Sequence, residues 1–256
     1  MEQKKISKKK NLILKIFAVL LALIIWQVAA MLINTPILLV TPVAVIKRLG
    51  TIWLEGIFWQ SILFSLVRIV CGFTAGLALG ILLAYLSDRF KFVETLLWPY
   101  MATVKSVPVA SIVVICLIWL SSNKLSVFIS FLIVLPVIYH NILTGLKSRD
   151  SELEDVAKVN GANKWQLFRY VYLPQITPFL YSACTVTVGM SWKAGVAAEV
   201  IGTPRGSIGN MLYLSKVYLD TDDLLAWTIV LVILSIICEK IILALIKFIV
   251  DKLTKI

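Results

Sequence analysis

Among the charged residues inside otherwise apolar runs are Arg68, Lys105, Lys193 and Glu199. A charge taken into hydrocarbon is costly, so such residues point either to a solute path or to a buried pairing. Arg68 lies six residues into its run, about 9 Å from the outer end, and Lys193 eight residues into its own, about 12 Å. Facing a path, one or both would favour a small anion, and Glu199, nearer the outer rim, would neutralise either. Structural pairing, or snorkelling at span ends, accounts for the same residues without a substrate. Lys193 and Glu199 differ by about 120° around a regular helix and are poor partners for one another.

Other chemistry is thinly represented. The single histidine, His140, has no partner motif and reads as a hydrogen-bonded structural residue. Cys71, Cys116, Cys184 and Cys238 lie in apolar runs without a CxxC or a nearby His, so they read as small buried thiols and no metal site is expected. No stretch matches G-x-x-x-x-G-K-[ST]. Any ATP and Mg must therefore be held by another polypeptide, and this chain is expected to bind no cofactor and to have no catalytic residues. A lipid-modifying enzyme would need a cluster of His, Asp or Glu at a membrane face, and a channel a charged ring or filter; neither is legible.

The elements that must position these residues are membrane spans. Hydrophobic residues make up 60% of the 256-residue chain, and mean hydropathy is +0.93. At about 20 residues per span, this length accommodates about six spans with short loops in a single transmembrane domain over 1–256. The predicted fold is all-α, with spans near 12–33, 62–86, 94–120, 125–146, 175–201 and 224–245. The first run is preceded by a basic tail at 1–11. It carries a small-residue Val28-Ala29-Ala30 site suited to signal cleavage, but it continues past that site, which favours an uncleaved span. Thr41-Pro42 starts either a short amphipathic surface helix or a structured loop. Pro99 and Pro108 interrupt the third span with Lys105 between them, which predicts a kink near a pathway. Gly72, Gly76 and Gly80, continued by Ala84, form a small-residue row for close helix packing, against either a neighbour in the chain or a second subunit. The net charge of +11 is concentrated at ends and loops, which suits anionic lipid headgroups rather than nucleic acid.

One segment is polar and strongly punctuated, at 149–174. Ser151 with Glu154, and Asn163 with Gln166, are spaced as capping boxes, Gly161 can take the left-handed conformation between them, and Pro174 is expected to stop the second helix. Two short helices, 152–160 and 163–173, meet at a corner. Leu153, Val156 and Ala157 make the apolar face of the first; Trp165, Phe168 and Tyr172 make that of the second. The segment reads Asp155-Val156-Ala157, three residues, Gly161, nine residues, Val171-Tyr172-Leu173-Pro174.

That spacing resembles the cytoplasmic loop of ATP-binding-cassette importer permeases, which reads E-A-A, three residues, Gly, nine residues, an aliphatic residue, any residue, then Leu-Pro. Asp155 and Val156 depart from Glu and Ala. Ser65-Leu66-Val67-Arg68 with Gly72-Phe73 resembles a stretch of the nitrate, taurine and sulfonate branch. The resemblance implies a type I importer permease whose 149–174 loop couples to ATPase subunits through Glu154, Asp155, Ala157, Gly161, Ala162, Trp165, Phe168, Leu173 and Pro174. It also implies an extracytoplasmic solute-binding protein, a second permease subunit in a homodimer, and a nitrate-, sulfonate- or taurine-like solute. Charge supplies orientation: sixteen Lys and Arg lie on the side of the termini and the 149–174 loop, against Lys47, Arg48, Lys124, Arg205 and Lys216 opposite. Positive-inside predicts a multi-pass protein of the cell membrane with both termini in the cytoplasm.

Overall fold

The computed structural model describes residues 2–254, with side chains described from Ile13 to Thr254, so the expected lysine tail at 1–11 lies outside the described side chains. Among the described residues every regular element is helical: α1 (Glu2–Ile33), α2 (Pro42–Ile52), α3 (Gly56–Arg89), α4 (Lys91–Ser106), α5 (Val109–Cys116), α6 (Ser122–Lys147), α7 (Ser151–Val159), α8 (Lys164–Leu167), α9 (Leu173–Gly202), α10 (Ile208–Val217) and α11 (Thr221–Thr254). They fall into two compact units, one of residues up to Trp59 with Met211–Ile229, the other of Gln60–Asn210 with the chain from Val230.

In the first unit, the Thr-Pro signal forms the predicted start of α2. The Thr41 hydroxyl accepts from Ala44 N, and Pro42 occupies the first turn, where its missing N–H costs nothing. Arg48 on α2 bridges Glu55 at 2.5 Å and Asp223 at 2.6 Å. The Trp26 indole donates to Val40 O, and the Thr221 hydroxyl to Ile37 O, fastening the 34–40 turn.

In the second unit, the glycine row of α3 meets α6. A Cβ at Gly72 would strike Val127 O, one at Gly76 would lie 2.9 Å from Phe131 O, and one at Gly80 2.9 Å from Ile138. The row thus lets the backbones approach as small residues do in lipid. Helix α9 packs along the same α6, with Gly195 against Ser130 and Ile69, Gly145 against the Phe179 ring, and Gly202 against Leu125.

Among the described residues four helices are long and apolar enough to cross a membrane: Ile13–Ile33, α3, α6 and α11. The third expected span is two helices, α4 and α5, bent by 103°, and counted together they make a fifth. The break falls at Val107-Pro108 alone, because Pro99 is accommodated inside α4. Helix α9, at 30 residues, is diluted by Thr, Ser, Gly, Lys193 and Glu199 and falls short of the other four in apolarity. The polar loop expected after it contains a further helix, α10, whose start at Ser207 went unread among the neighbouring glycines.

Candidate functional site

The cap of helix α7 lies one residue earlier than predicted, at Asp150 rather than Ser151. The Asp150 carboxylate accepts from Glu152 N and Leu153 N, a stronger cap than a hydroxyl one residue on. At the other end, Gly161 N returns to Lys158 O and Ala162 N to Ala157 O, with Gly161 at φ +77°. These two bonds and the left-handed glycine make a Schellman stop. Asn163 and Gln166 then form the reciprocal capping box at the start of α8.

Pro174 does not end the second helix. Residues Phe168–Tyr172 widen into a π-helical turn in which Leu173 N donates to Phe168 O, five residues back, and the chain stays helical into α9. The wider turn gives the proline ring the room that an α-helical turn would deny it. The elbow is therefore a short helix, α7, turned onto the front of one long helix.

Five of its large apolar residues point outward, while Leu167 is buried. No side chain of α7 is buried; Leu153, Val156 and Val159 are exposed, as are Trp165 and Phe168, whose rings stack at 5.6 Å. Its polar residues instead brace it. Arg149 pairs with Asp88 at the end of α3 at 2.7 Å, donates to Leu146 O, and lies over the Tyr172 ring. Asp150 N donates to the Gln175 side chain. Glu154 pairs with Lys158 at 2.7 Å and accepts from Tyr172, and these two hold its carboxyl below the ordinary range, Lys158 most. Asp155 is exposed, 3.7 Å from Lys158; Ala157 and Ala162 are half-buried; Leu173 is half-buried and Pro174 exposed. Arg149, Asp88 and Gln175 were not singled out from sequence, because nothing local marks a partner 25 to 61 residues away.

Arg68, Lys105, Lys193 and Glu199 separate. Glu199 is fully buried; its Oε2 accepts from Ser65 Oγ at 2.7 Å and from Gly209 N at 3.2 Å, while Ser65 Oγ accepts from Ile208 N. With Ser207 accepting from Asn210 N, three free N–H groups at the α10 start are met. Arg68 is engaged as well, its Nε donating to Asn123 O at 2.7 Å and its guanidinium lying 3.4 Å over Phe64. Lys105 lines a cleft of about 400 Å³ with Trp98, His140 and the ion-paired Glu94 and Lys147. Lys193 lines a second cleft, about 280 Å³, with Val109, Ile133 and Met190. The cysteines are free; Cys116, Cys184 and Cys238 are buried as expected, but Cys71 is exposed.

Residues 76–255 match the family model described as binding-protein-dependent transport system inner membrane component. The chain belongs to this family. Relatives include the taurine transport system permease protein TauC of Escherichia coli strain K12, 27% identical over 91% of this chain and 86% of that one. The riboflavin transport system permease protein RibX of Chloroflexus aurantiacus is 26% identical over 79% of this chain and 76% of its own. The formylaminopyrimidine transport permease protein ThiX of Halalkalibacterium halodurans is 28% identical over 73% of this chain and 75% of its own. The permease is thus a multi-pass transport component of ATP-binding-cassette type, consistent with the nitrate, taurine and sulfonate branch, and its relatives are named for solutes of different chemistry.

Proposed function

We propose that this permease forms the membrane path of an importer, couples a separate ATPase to uptake, and carries a small organic or inorganic anion of the sulfonate, taurine or nitrate type. In this reading six spans, α9 and the bent α4–α5 pair included, put both termini and the elbow in the cytoplasm. The observation that carries it is the elbow: Leu153, Val156, Trp165 and Phe168 are held outward on a braced corner, an apolar face in search of a partner. An ATPase cleft that received this corner would move α9 directly, and paired permeases would alternate access by rigid-body motion. An extracytoplasmic binding protein would deliver the solute at the opposite face, and the second permease of the pair would be another copy of this chain.

Trp165→Ala tests the coupling. Loss of an exposed aromatic anchor is expected to weaken retention of the ATPase by about 30-fold, equivalent to about 2 kcal/mol, with the permease's own melting temperature unchanged. Full retention of the ATPase by Trp165→Ala together with Val156→Asp would sink the reading.

A further inference from the structure

We propose that the cleft between the end of α3 and the elbow seats the phosphate of an anionic phospholipid between Arg89 and Lys164, the lipid coming from the leaflet on the elbow's side of the membrane. The inference goes beyond the importer reading and rests on one part of it, that α3 crosses the membrane.

The cleft holds about 590 Å³. Helix α3 gives Tyr85, Asp88 and Arg89 to one wall, and the elbow gives Tyr172 and four charged side chains to the other. Both carboxylates of the cleft are already taken, Asp88 by Arg149 at 2.7 Å and Glu154 by Lys158 at 2.7 Å. Arg89 and Lys164 remain, exposed and with no ion pair or side-chain hydrogen bond among the described residues. The cleft therefore carries one unmatched positive charge on each wall. A guanidinium offers paired donors that fit phosphate oxygens, and an ammonium adds a point charge. Basic pockets of this kind at a membrane face take phospholipid headgroups.

Helix α3 itself argues for a lipid rather than a soluble phosphate. Ala78, Leu82, Tyr85 and Arg89 recur at helical spacing on one face, and all four are exposed. From Ala78 to Arg89 the stripe runs about 16 Å, about half of a hydrocarbon layer about 30 Å thick. An acyl chain along this stripe would span one leaflet and bring its headgroup to the cleft. Tyr85, where the stripe meets the cleft, has the amphipathic ring suited to that interface. A seated headgroup would also tie Arg89 on α3 to Lys164 on α8, a second brace for the corner beside the Asp88–Arg149 pair.

The test places the permease with its ATPase in nanodiscs of phosphatidylcholine and raises the phosphatidylglycerol fraction in steps. Hydrogen exchange over residues 149–174 is the readout, each protein being referred to its own rate in pure phosphatidylcholine. Exchange is expected to slow as phosphatidylglycerol rises, and Arg89→Gln with Lys164→Gln to move the midpoint about tenfold higher. Lys247→Gln with Lys252→Gln removes the same charge from the end of α11 and should leave the midpoint in place. Equal shifts in the two double variants would assign the response to bulk surface charge and overturn the site, as would exchange indifferent to phosphatidylglycerol. Equal slowing by sn-glycerol 3-phosphate in pure phosphatidylcholine would make the ligand a soluble phosphate and overturn the lipid. Retention of the ATPase is scored on the same samples. ATPase retained without a lipid response overturns the site alone; ATPase absent from the unsubstituted permease overturns the importer reading, and the lipid titration still decides the site.

Discussion

The elbow and the Glu199 knot solve opposite problems. In the elbow much of the apolar surface faces out and polar residues do the fastening, whereas around Glu199 the polar groups are sealed inside and one carboxylate oxygen gathers two donors. That buried oxygen ties α3 to the start of α10. The exposed Trp165-Phe168 stack on its braced corner fastens nothing comparable within the described residues, which leaves it open to the partner proposed above. The contrast separates residues that hold this permease together from residues whose proposed role is to connect it to an ATPase.

The sharpest way to break the contrast is Glu199→Ala, which strands Gly209 N and the Ser65 hydroxyl in the interior. A loss of about 3 kcal/mol is expected, read as a lowered melting temperature in detergent. Glu199→Gln, which keeps one acceptor oxygen, should cost clearly less. If both variants melt like the parent, the knot is not a structural joint.

A smaller effect is expected at the elbow. Gly161→Val forces a branched side chain into φ +77°, at about 1–2 kcal/mol confined to the corner. Hydrogen exchange should quicken over residues 157–164 while the α3–α6 packing keeps its protection, and ATP hydrolysis should lose its tie to uptake. Uniform quickening across the spans would mean that the corner is part of the core rather than a separate lever.

The mildest effect concerns Asp220, whose hydrogen bond with Asp222 pushes its carboxyl up to about 6. A folded value raised above the unfolded one makes its contribution complete below about pH 4 and lost as pH rises through about 6. Melting temperature should therefore decline slightly between pH 5 and pH 7, and Asp220→Asn should flatten that slope. A slope unchanged by the substitution would assign it to other groups.

Local signals carried the reading of the elbow far. Asn163 with Gln166 and the left-handed Gly161 are short-range devices, and the structure keeps both. Asp150 and Ser151 are both good caps, and only the backbone decides between them. Pro174 misled because a proline ends an α-helical turn but not a π-helical one, and turn width has no one-residue signature. Glu199 could be recognised as an expensive charge, yet its partners come from α3 and from the start of α10, 134 and 10 positions away. The span count depended on apolarity, which α9 lacks and which α4 and α5 share between two directions.

The π-helical turn has a mechanical consequence. Because no loop intervenes between Lys164 and Gly202, a helical rod about 51 Å long joins Trp165, with its stacked ring, to Glu199, with Lys193 mounted between. A tug delivered at one tip has no slack joint in which to be absorbed, so it must arrive at the opposite tip as tilt, sliding or twist.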